Sequence, residues 1–367
     1  MSSRVLRALI CGGWLSVGGG ALVGEGVRPA AAQPANAPAL LEKGQQLLKA
    51  GNTKGALDAF NQAAKADPRD PRAPYLRGVA LEKSGDVAGA EAAYREAVKV
   101  GPQLAEARNN LGGLLLAKGD LPGAEEQLRA AVKADPRHAD ARFNLGVLLD
   151  QQDKATDALA AYREAVKLKP ADATFHLNLG AALRRSGDAA GALTSLQEAT
   201  RRGPDNAVAW ANLGLLQAEQ KQLDEAETAL KKAVALDPKS AMAWAGLGRV
   251  QLRRKDAAAA GASLAKARKL APKNATYAAD ACKAAVDADP LGAGGPRDCR
   301  AALALDSQNA LARYVLAKAL VARGDCAAAK REVAAFSALT TVKAEAKAGA
   351  DAMLGACKPG VKQPPPK

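Results

Sequence analysis

Apolar residues along most of this chain recur at helical rather than strand spacing, as Leu111 and Leu115 illustrate. The pattern returns every 34 residues from 37 to 274, so that seven repeats follow one another without a gap. Positions 8, 20 and 27 of each repeat hold Gly or Ala, and position 32 holds proline. In the third repeat these residues are Gly112, Ala124, Ala131 and Pro136. A fixed period of this length predicts a stack of two-helix repeats.

Each repeat also carries the signals of a turn between its two helices. A Gly-Asp pair near position 15, for example Gly119 and Asp120, predicts a left-handed helix stop followed by an N-cap. Pro122 follows in the first turn of the next helix, where a missing N–H group costs little. The proline at position 32 predicts the turn into the next repeat. Because one helix pair cannot bury its own apolar face, the repeats are expected to stack.

This arrangement resembles the tetratricopeptide repeat family in its period and its small residues. The resemblance implies an all-α, right-handed superhelical solenoid of about nine helix-turn-helix repeats with a C-terminal capping helix. After the seven repeats of 37–274, we interpret 275–309 as a divergent eighth repeat and 310–338 as a ninth. A helix within 339–357 is expected to cover the end of the stack, and the Lys/Pro tail 358–367 to be disordered.

Residues 1–32 have the pattern of a cleavable secretory signal peptide. Two arginines precede an uncharged, mostly apolar stretch, and small residues favour cleavage before Gln33, which opens a linker at 33–36. The alternative is a retained membrane anchor, although a short Gly-rich stretch spans a bilayer poorly. A lipid anchor at Cys11 is disfavoured because the preceding residue is Ile10 rather than a small one.

Four cysteines follow the signal, all in the last quarter of the chain. An even number in an exported chain favours disulfide bonds. In the predicted layout, antiparallel packing brings Cys282 close to Cys299 within the eighth repeat, and Cys326 close to Cys357 at the end of the capping helix. We predict these two bridges among three possible pairings; the alternative is four small buried thiols.

No catalytic or cofactor-binding pattern stands out. His138 and His176 lie in separate repeats, without a cysteine or a carboxylate pair at metal-ligand spacing. The Gly-rich stretches lack the Lys-Ser/Thr of a phosphate loop, and no nucleophile has an evident base. We therefore expect that the protein is not an enzyme and that it has no cofactor and no metal site. The net charge of +14 favours anionic partners, but export and an aromatic content of 3% disfavour nucleic acid.

An asparagine recurs at position 6 of the third to sixth repeats, although asparagine is a poor residue for a helix interior. In tetratricopeptide repeats this position commonly faces the concave groove. The row is similar to the asparagine ladder of the O-linked N-acetylglucosamine transferases, although no part of this chain resembles their transferase domain. Amides can pair with the N–H and C=O groups of an extended peptide. The predicted peptide-binding or protein-binding residues are Asn110, Asn144, Asn178, Asn212, Val147, Ala181, Leu215, Arg184 and Arg185.

The alternative for these asparagines is that they bond to neighbouring turns or to water. Leu76 and Gly246 occupy position 6 of the second and seventh repeats, so any ladder is confined to the middle of the chain. The carboxylate clamp of chaperone-binding repeats needs Lys at position 5 and Asn at position 9. The first repeat has Leu41 and Gln45 there, which excludes that clamp in this repeat.

These patterns predict a non-enzymatic, exported scaffold that binds a peptide segment or a protein in its concave groove. We expect it to support assembly of a bacterial envelope complex, in motility, pilus, secretion or cell-wall machinery. The alternative is a binding module for an anionic envelope polymer, a glycan or peptidoglycan, that uses the net positive charge. The expected location is periplasmic or secreted, with no transmembrane segment in the mature chain.

Overall fold

The computed structural model describes residues 36–357. The predicted signal segment 1–32, most of the linker 33–36 and the tail 358–367 lie outside the described residues. The chain divides after Ser186 into two compact units, here called the N-terminal unit and the C-terminal unit. All regular secondary structure in 36–357 is helical, and each helix packs against the next one in its unit. This arrangement confirms the all-α solenoid of stacked helix pairs.

The helices are numbered in chain order over the described residues. The N-terminal unit contains α1 Ala37–Lys49, α2 Thr53–Ala66, α3 Arg72–Ser84, α4 Val87–Val100, α5 Ala105–Lys118, α6 Leu121–Ala134, α7 Ala139–Gln151, α8 Ala155–Leu168 and α9 Ala173–Arg185. The C-terminal unit contains α10 Ala189–Arg202, α11 Ala207–Glu219, α12 Leu223–Leu236, α13 Ala241–Arg253, α14 Ala257–Leu270, α15 Ala275–Ala288, α16 Gly294–Leu305, α17 Ala310–Ala322, α18 Cys326–Ser337 and α19 Ala344–Gly355.

The turn inside each repeat forms as the Gly-Asp pairs predict. Gly119 ends α5 in the left-handed conformation with a φ of 83°, and the Asp120 carboxylate accepts a hydrogen bond of 3.0 Å from the Gly123 N–H group. Three of the seven regular repeats have no glycine at this point, and the residue there takes a positive φ at a conformational cost. These residues are Asp153, Lys221 and Lys255. The turn geometry is therefore kept even where the favourable residue is absent.

The glycine at position 8 is where the two helices of a repeat come closest. An added Cβ at Gly112 would lie 2.7 Å from Cγ of Leu128, and one at Gly78 would lie 2.6 Å from the Tyr94 ring. Both partners stand at position 24, on the second helix, and are fully buried. The side chain at position 24 therefore fills the space that a glycine leaves open.

At six of the inter-repeat turns a side-chain N–H group at position 4 ties the turn to the helix that follows. Arg108 donates to the carbonyl of Pro102 over 2.7 Å, and the Trp244 indole donates to the carbonyl of Pro238 over 3.0 Å. The bond always spans six residues, although the donor is an arginine, a histidine or a tryptophan. The other examples are Arg142 to Pro136, His176 with Pro170, Trp210 to Pro204 and Arg313 to Ser307.

Both predicted disulfide bonds are present, so the predicted pairing is confirmed. Cys282 on α15 is bonded to Cys299 on α16, and both side chains are fully buried. Cys326, the first residue of α18, is bonded to Cys357, which follows α19. Helix α19 buries Ala350 alone among its residues. The second disulfide is therefore a principal attachment of this helix to the stack.

We expect Gly214→Ala to lower the free energy of unfolding by about 1–2 kcal/mol, because overpacking outweighs the gain in helix propensity. The new Cβ would lie 2.7 Å from Leu230 Cγ and 3.0 Å from the backbone oxygen of Ala226, which cannot move aside. The control is Gly261→Ala, also inside a helix, where nothing lies within 4 Å of the new Cβ. This control substitution should raise the free energy of unfolding by up to about 1 kcal/mol. Urea denaturation measures both, and equal effects would contradict the close contact.

Replacing Cys326 and Cys357 by serine should remove on the order of 3–4 kcal/mol from the attachment of α19, because the bridge closes a loop of sequence separation 31. The expected result is faster amide hydrogen exchange in α18 and α19. Exchange in α11 and α12, far from the bridge in sequence, serves as the internal control. Unchanged protection of α19 would show that its apolar contacts alone hold it.

Candidate functional site

The first helices of the repeats line the inner side of each unit. In the N-terminal unit α1 contacts α3 and α5 contacts α7, and in the C-terminal unit α11 contacts α13, which contacts α15. Successive second helices in the described residues have no contact of comparable extent. Helices that approach each other more closely lie on the inside of a curved stack. Positions 6, 9 and 13 of the first helices are therefore the places to look for a binding surface.

Five polar residues in the N-terminal unit form a continuous chain of hydrogen bonds, here called the amide network. The Asn144 amide donates to Oδ1 of Asn109 over 2.9 Å, and Asn109 donates to Oδ1 of Asn110 over 3.2 Å. Asn110 in turn donates to the Tyr94 hydroxyl over 3.3 Å, and Tyr94 donates to Glu82 over 2.6 Å. The network joins α3, α4, α5 and α7, so it connects three successive repeats.

Burial differs among the predicted asparagines. Asn144 is only 6% exposed, and its amide hydrogen bond is to the equally buried Asn109. Asn178 and Asn212 are half-buried, and each donates over 2.9 Å to the carbonyl four residues earlier on its own helix. Each of these bonds uses one of the two amide hydrogens, which leaves an amide oxygen and a second hydrogen for a ligand.

The other predicted residues divide between the core and the inner surface. Val147 is buried, whereas Ala181, Leu215 and Arg184 are half-buried. Arg185 is exposed and forms a salt bridge with Asp150, the second-to-last residue of α7. Of the predicted residues in the N-terminal unit, the structure brings Asn110 and Asn144 into one network and leaves Asn178 outside it.

The sequence interpretation missed Asn109, Tyr94, Glu82 and Tyr75. The Tyr75 and Tyr94 rings lie 6.1 Å apart, and burial raises the pKa of Tyr75 to about 12, with the negative charges of Glu106 and Glu82 adding to the rise. Burial also raises the pKa of Tyr94. Both hydroxyls therefore stay protonated and can donate at neutral pH. The doublet of asparagines at 109 and 110 was the available signal.

The inner face of the C-terminal unit holds a charged cavity of about 460 Å³, here called the basic pocket. Arg249, Leu252 and Arg253 come from α13, Asp280 and Lys283 from α15, and Leu311 from α17. Arg249 donates to Asp280 over 2.7 Å, and its guanidinium lies 5.9 Å from the centre of the Tyr277 ring. These residues again come from successive first helices.

Two carboxylates hold the cations of this region in place. Burial raises the pKa of Asp280, although Arg249 and Lys283 act in the opposite direction. Burial acts to raise the pKa of Asp287, but hydrogen bonds from Lys283 and Lys318 outweigh this effect and hold the pKa below its usual range. Both carboxylates are therefore held in ion pairs rather than left to attract cations from solution.

A family model described as tetratricopeptide repeat matches residues 41–105, 81–128, 109–173, 177–241 and 222–275. These segments cover more than half of the chain and follow the 34-residue period. The chain belongs to the tetratricopeptide repeat family.

Two solved structures illustrate the similarity of this tetratricopeptide repeat protein to others. One, from a functional characterisation of Pseudomonas aeruginosa pilF, is 21% identical with a TM-score of 0.53, over 59% of this chain and 97% of that one. The other, the anaphase-promoting-complex hetero-tetramer Cut9–Hcn1, is 19% identical with a TM-score of 0.56, over 77% of this chain and 55% of that one. At these identities the likeness shows the fold alone. The comparison with curated proteins finds no match.

The histidines of the tetratricopeptide repeats contact backbone groups. His138 Nδ1 accepts a bond of 3.2 Å from the Ala141 N–H group, and His176 pairs with the Pro170 carbonyl over 3.0 Å. Across residues 36–357 no three His, Cys, Asp or Glu side chains are grouped so as to hold a metal ion. None of the helices described is both long and apolar enough to cross a membrane.

We expect Arg249→Gln to lower the free energy of unfolding by about 1–3 kcal/mol at neutral pH, since it leaves the buried Asp280 carboxylate without its main partner. Losing Arg249 raises the pKa of Asp280 further above its ordinary value. A carboxyl group with a raised pKa binds protons more tightly in the folded state, so its charged form costs stability as pH rises. The deficit of the variant should therefore grow with pH and shrink toward about pH 4.

Urea denaturation of wild type and variant across this pH range measures that difference. Arg300→Gln removes the same charge from an exposed position on α16 and is the control. A deficit that does not change with pH would contradict the ion pair as its cause.

Proposed function

We propose that this protein is an exported, non-enzymatic scaffold that binds an extended peptide segment or a protein along its inner helices. In our proposal it supports assembly of a bacterial envelope complex, in motility, pilus, secretion or cell-wall machinery. The observation that carries the proposal is the half-buried amide at position 6 of α9 and of α11. Asn178 and Asn212 are each held by one bond to their own helix and retain donor and acceptor capacity on the inner face.

The chemistry of these amides favours recognition of a peptide backbone. A backbone segment presents N–H and C=O groups at every residue, and an amide side chain complements both. Apolar neighbours Ala181 and Leu215, at position 9 of the same helices, add contact area without reading a particular side chain. Such a surface suits an extended segment of relaxed sequence.

Export is supported by the disulfide bonds together with the signal-like N-terminal pattern. Two disulfides in one chain are typical of an oxidising compartment such as the periplasm. The net charge of +14 supports the alternative function, an anionic-polymer binding module. Polymer binding by net charge would fall steeply with added salt, whereas binding through neutral amides would persist.

Site-specific photocrosslinking in the native cells tests the proposal. A photoreactive amino acid at Ala181, on the inner face, should give adducts with a partner protein, and one at Gln62, exposed on the second helix α2, should not. The protein recovered from the periplasmic fraction should begin at Gln33. Adducts from Gln62 alone, or none from Ala181, would overturn the proposed surface.

In the same assay Asn178→Ala should lower the adduct yield about fivefold, because the amide contributes about 1 kcal/mol through its bonds. Folding should not suffer, since alanine is the better helix former. Gln62→Ala removes an exposed amide from the second helix α2 and is the matched control. Equal yields for the two variants would assign Asn178 to the scaffold.

A further inference from the structure

We propose that the basic pocket of the C-terminal unit binds the carboxylate groups of an acidic peptide segment. This inference rests on the proposed function for the peptide nature of the ligand, and it names the chemistry that the segment must carry. The pocket does not include the position-6 asparagines, and its cations stand at positions 9 and 13 of the first helices.

The balance of charge around the pocket is positive. Four cations, Arg249, Arg253, Lys283 and Lys318, lie on three successive first helices, α13, α15 and α17. The facing carboxylates are Asp280, which pairs with Arg249, and Asp287, which pairs with both lysines. Two carboxylates neutralise only two of four cations, so an anion entering the pocket meets a net attraction.

The arginines keep donors available for such an anion. A guanidinium has five N–H donors. Arg249 gives one to Asp280, and Arg253 gives one to the carbonyl of Ala218 over 2.6 Å. The remaining donors face a cavity that a carboxylate can enter and bind in a bidentate manner.

The site is also held in place before a ligand arrives. Arg249 is fixed between the Asp280 carboxylate and the face of Tyr277, and Arg253 is fixed on the C-terminal end of α11. Side chains that are already ordered lose less entropy on binding.

The walls favour a peptide over a polysaccharide. Leu252 and Leu311 line the same cavity as the cations. An acidic segment places an apolar side chain next to a carboxylate, which suits both surfaces, whereas a polyuronate offers hydroxyl groups that would lose their water against leucine. A volume of about 460 Å³ accommodates side chains of this size.

The test is fluorescence anisotropy on the full chain with a labelled short peptide of Glu, Leu and Ser and with its Gln counterpart. The Glu peptide should bind at least tenfold more tightly than the Gln peptide. The double variant Arg253→Gln with Lys283→Gln should lower the affinity for the Glu peptide at least tenfold and leave the affinity for the Gln peptide unchanged. Lys318 still pairs with Asp287 in this variant, so no carboxylate is left unpaired. A thermal melt by circular dichroism should show the variant folded.

Lys232→Gln with Lys269→Gln removes the same charge from exposed positions on α12 and α14 and is the matched control. Equal weakening by control and pocket variant would overturn the site, because it would assign the affinity to net charge. Polygalacturonate that competes as well as the Glu peptide at matched charge would also overturn the peptide assignment.

The photocrosslinking from Ala181 separates this inference from the proposed function. If Ala181 gives adducts but the pocket variant does not change the affinity for the Glu peptide, the proposed role of the basic pocket is wrong and the proposed function stands. If Ala181 gives no adducts but the Glu peptide still binds in a pocket-dependent manner, the proposed amide surface is wrong and the basic pocket stands. If the double variant unfolds, the single variants Arg253→Lys and Arg253→Gln replace it in the binding assay. Arg253→Lys keeps the charge but not the bidentate fork, so it should weaken binding of the Glu peptide less than Arg253→Gln does.

Discussion

The close approach of two helices at a glycine sets the geometry on which the rest of each repeat depends. At position 8 there is no room for a Cβ, because the residue at position 24 of the repeat, on its second helix, fills that space. Gly112 with Leu128 and Gly248 with Leu264 show the same contact in the two units. Alanines at positions 20 and 27, fully buried throughout, continue the tight interface. A pair of helices packed so closely behaves as one rigid element, and repeats of such elements can only differ on their outer and inner surfaces.

This constraint decides where function can reside. Because the helix-helix contact uses the small residues, much of the polar variation on the first helices falls at positions 4, 6, 9 and 13. Position 4 serves the fold, since its N–H group bonds to the carbonyl six residues earlier whether it belongs to Arg108, His176 or Trp244. Positions 6, 9 and 13 face the inner side. At position 13, Lys83, Arg185 and Arg253 each bond to the residue 35 positions earlier, whereas positions 6 and 9 have no partner common to the repeats. Position 6 is asparagine in the third to sixth repeats, whereas positions 9 and 13 differ from repeat to repeat, as expected for a surface that meets a ligand.

Local features were predictable from the sequence, whereas the partners of individual side chains were not. Gly119 and Asp120 form a helix stop and a cap because both depend on residues within one turn. The cysteine pairing followed from the register of the repeats. The asparagine row did not behave uniformly, because the residue at position 5 of the preceding repeat differs. Asn144 meets Asn109 and is drawn into the core, whereas the equivalent residue before Asn178 is Phe143, which offers no acceptor.

The inner helices therefore present two kinds of chemistry, neutral amides and a basic pocket, and in both the polar groups are oriented by bonds within the chain. A hydrogen bond from Asn178 to its own helix fixes the direction of the amide oxygen, just as Asp280 fixes the guanidinium of Arg249. In each case the internal bond uses part of the donor capacity and leaves the rest pointing to the inner face. Such groups are costly to desolvate but cheap to order. A ligand that hydrogen-bonds to such a group recovers part of the desolvation cost and does not have to order the group first.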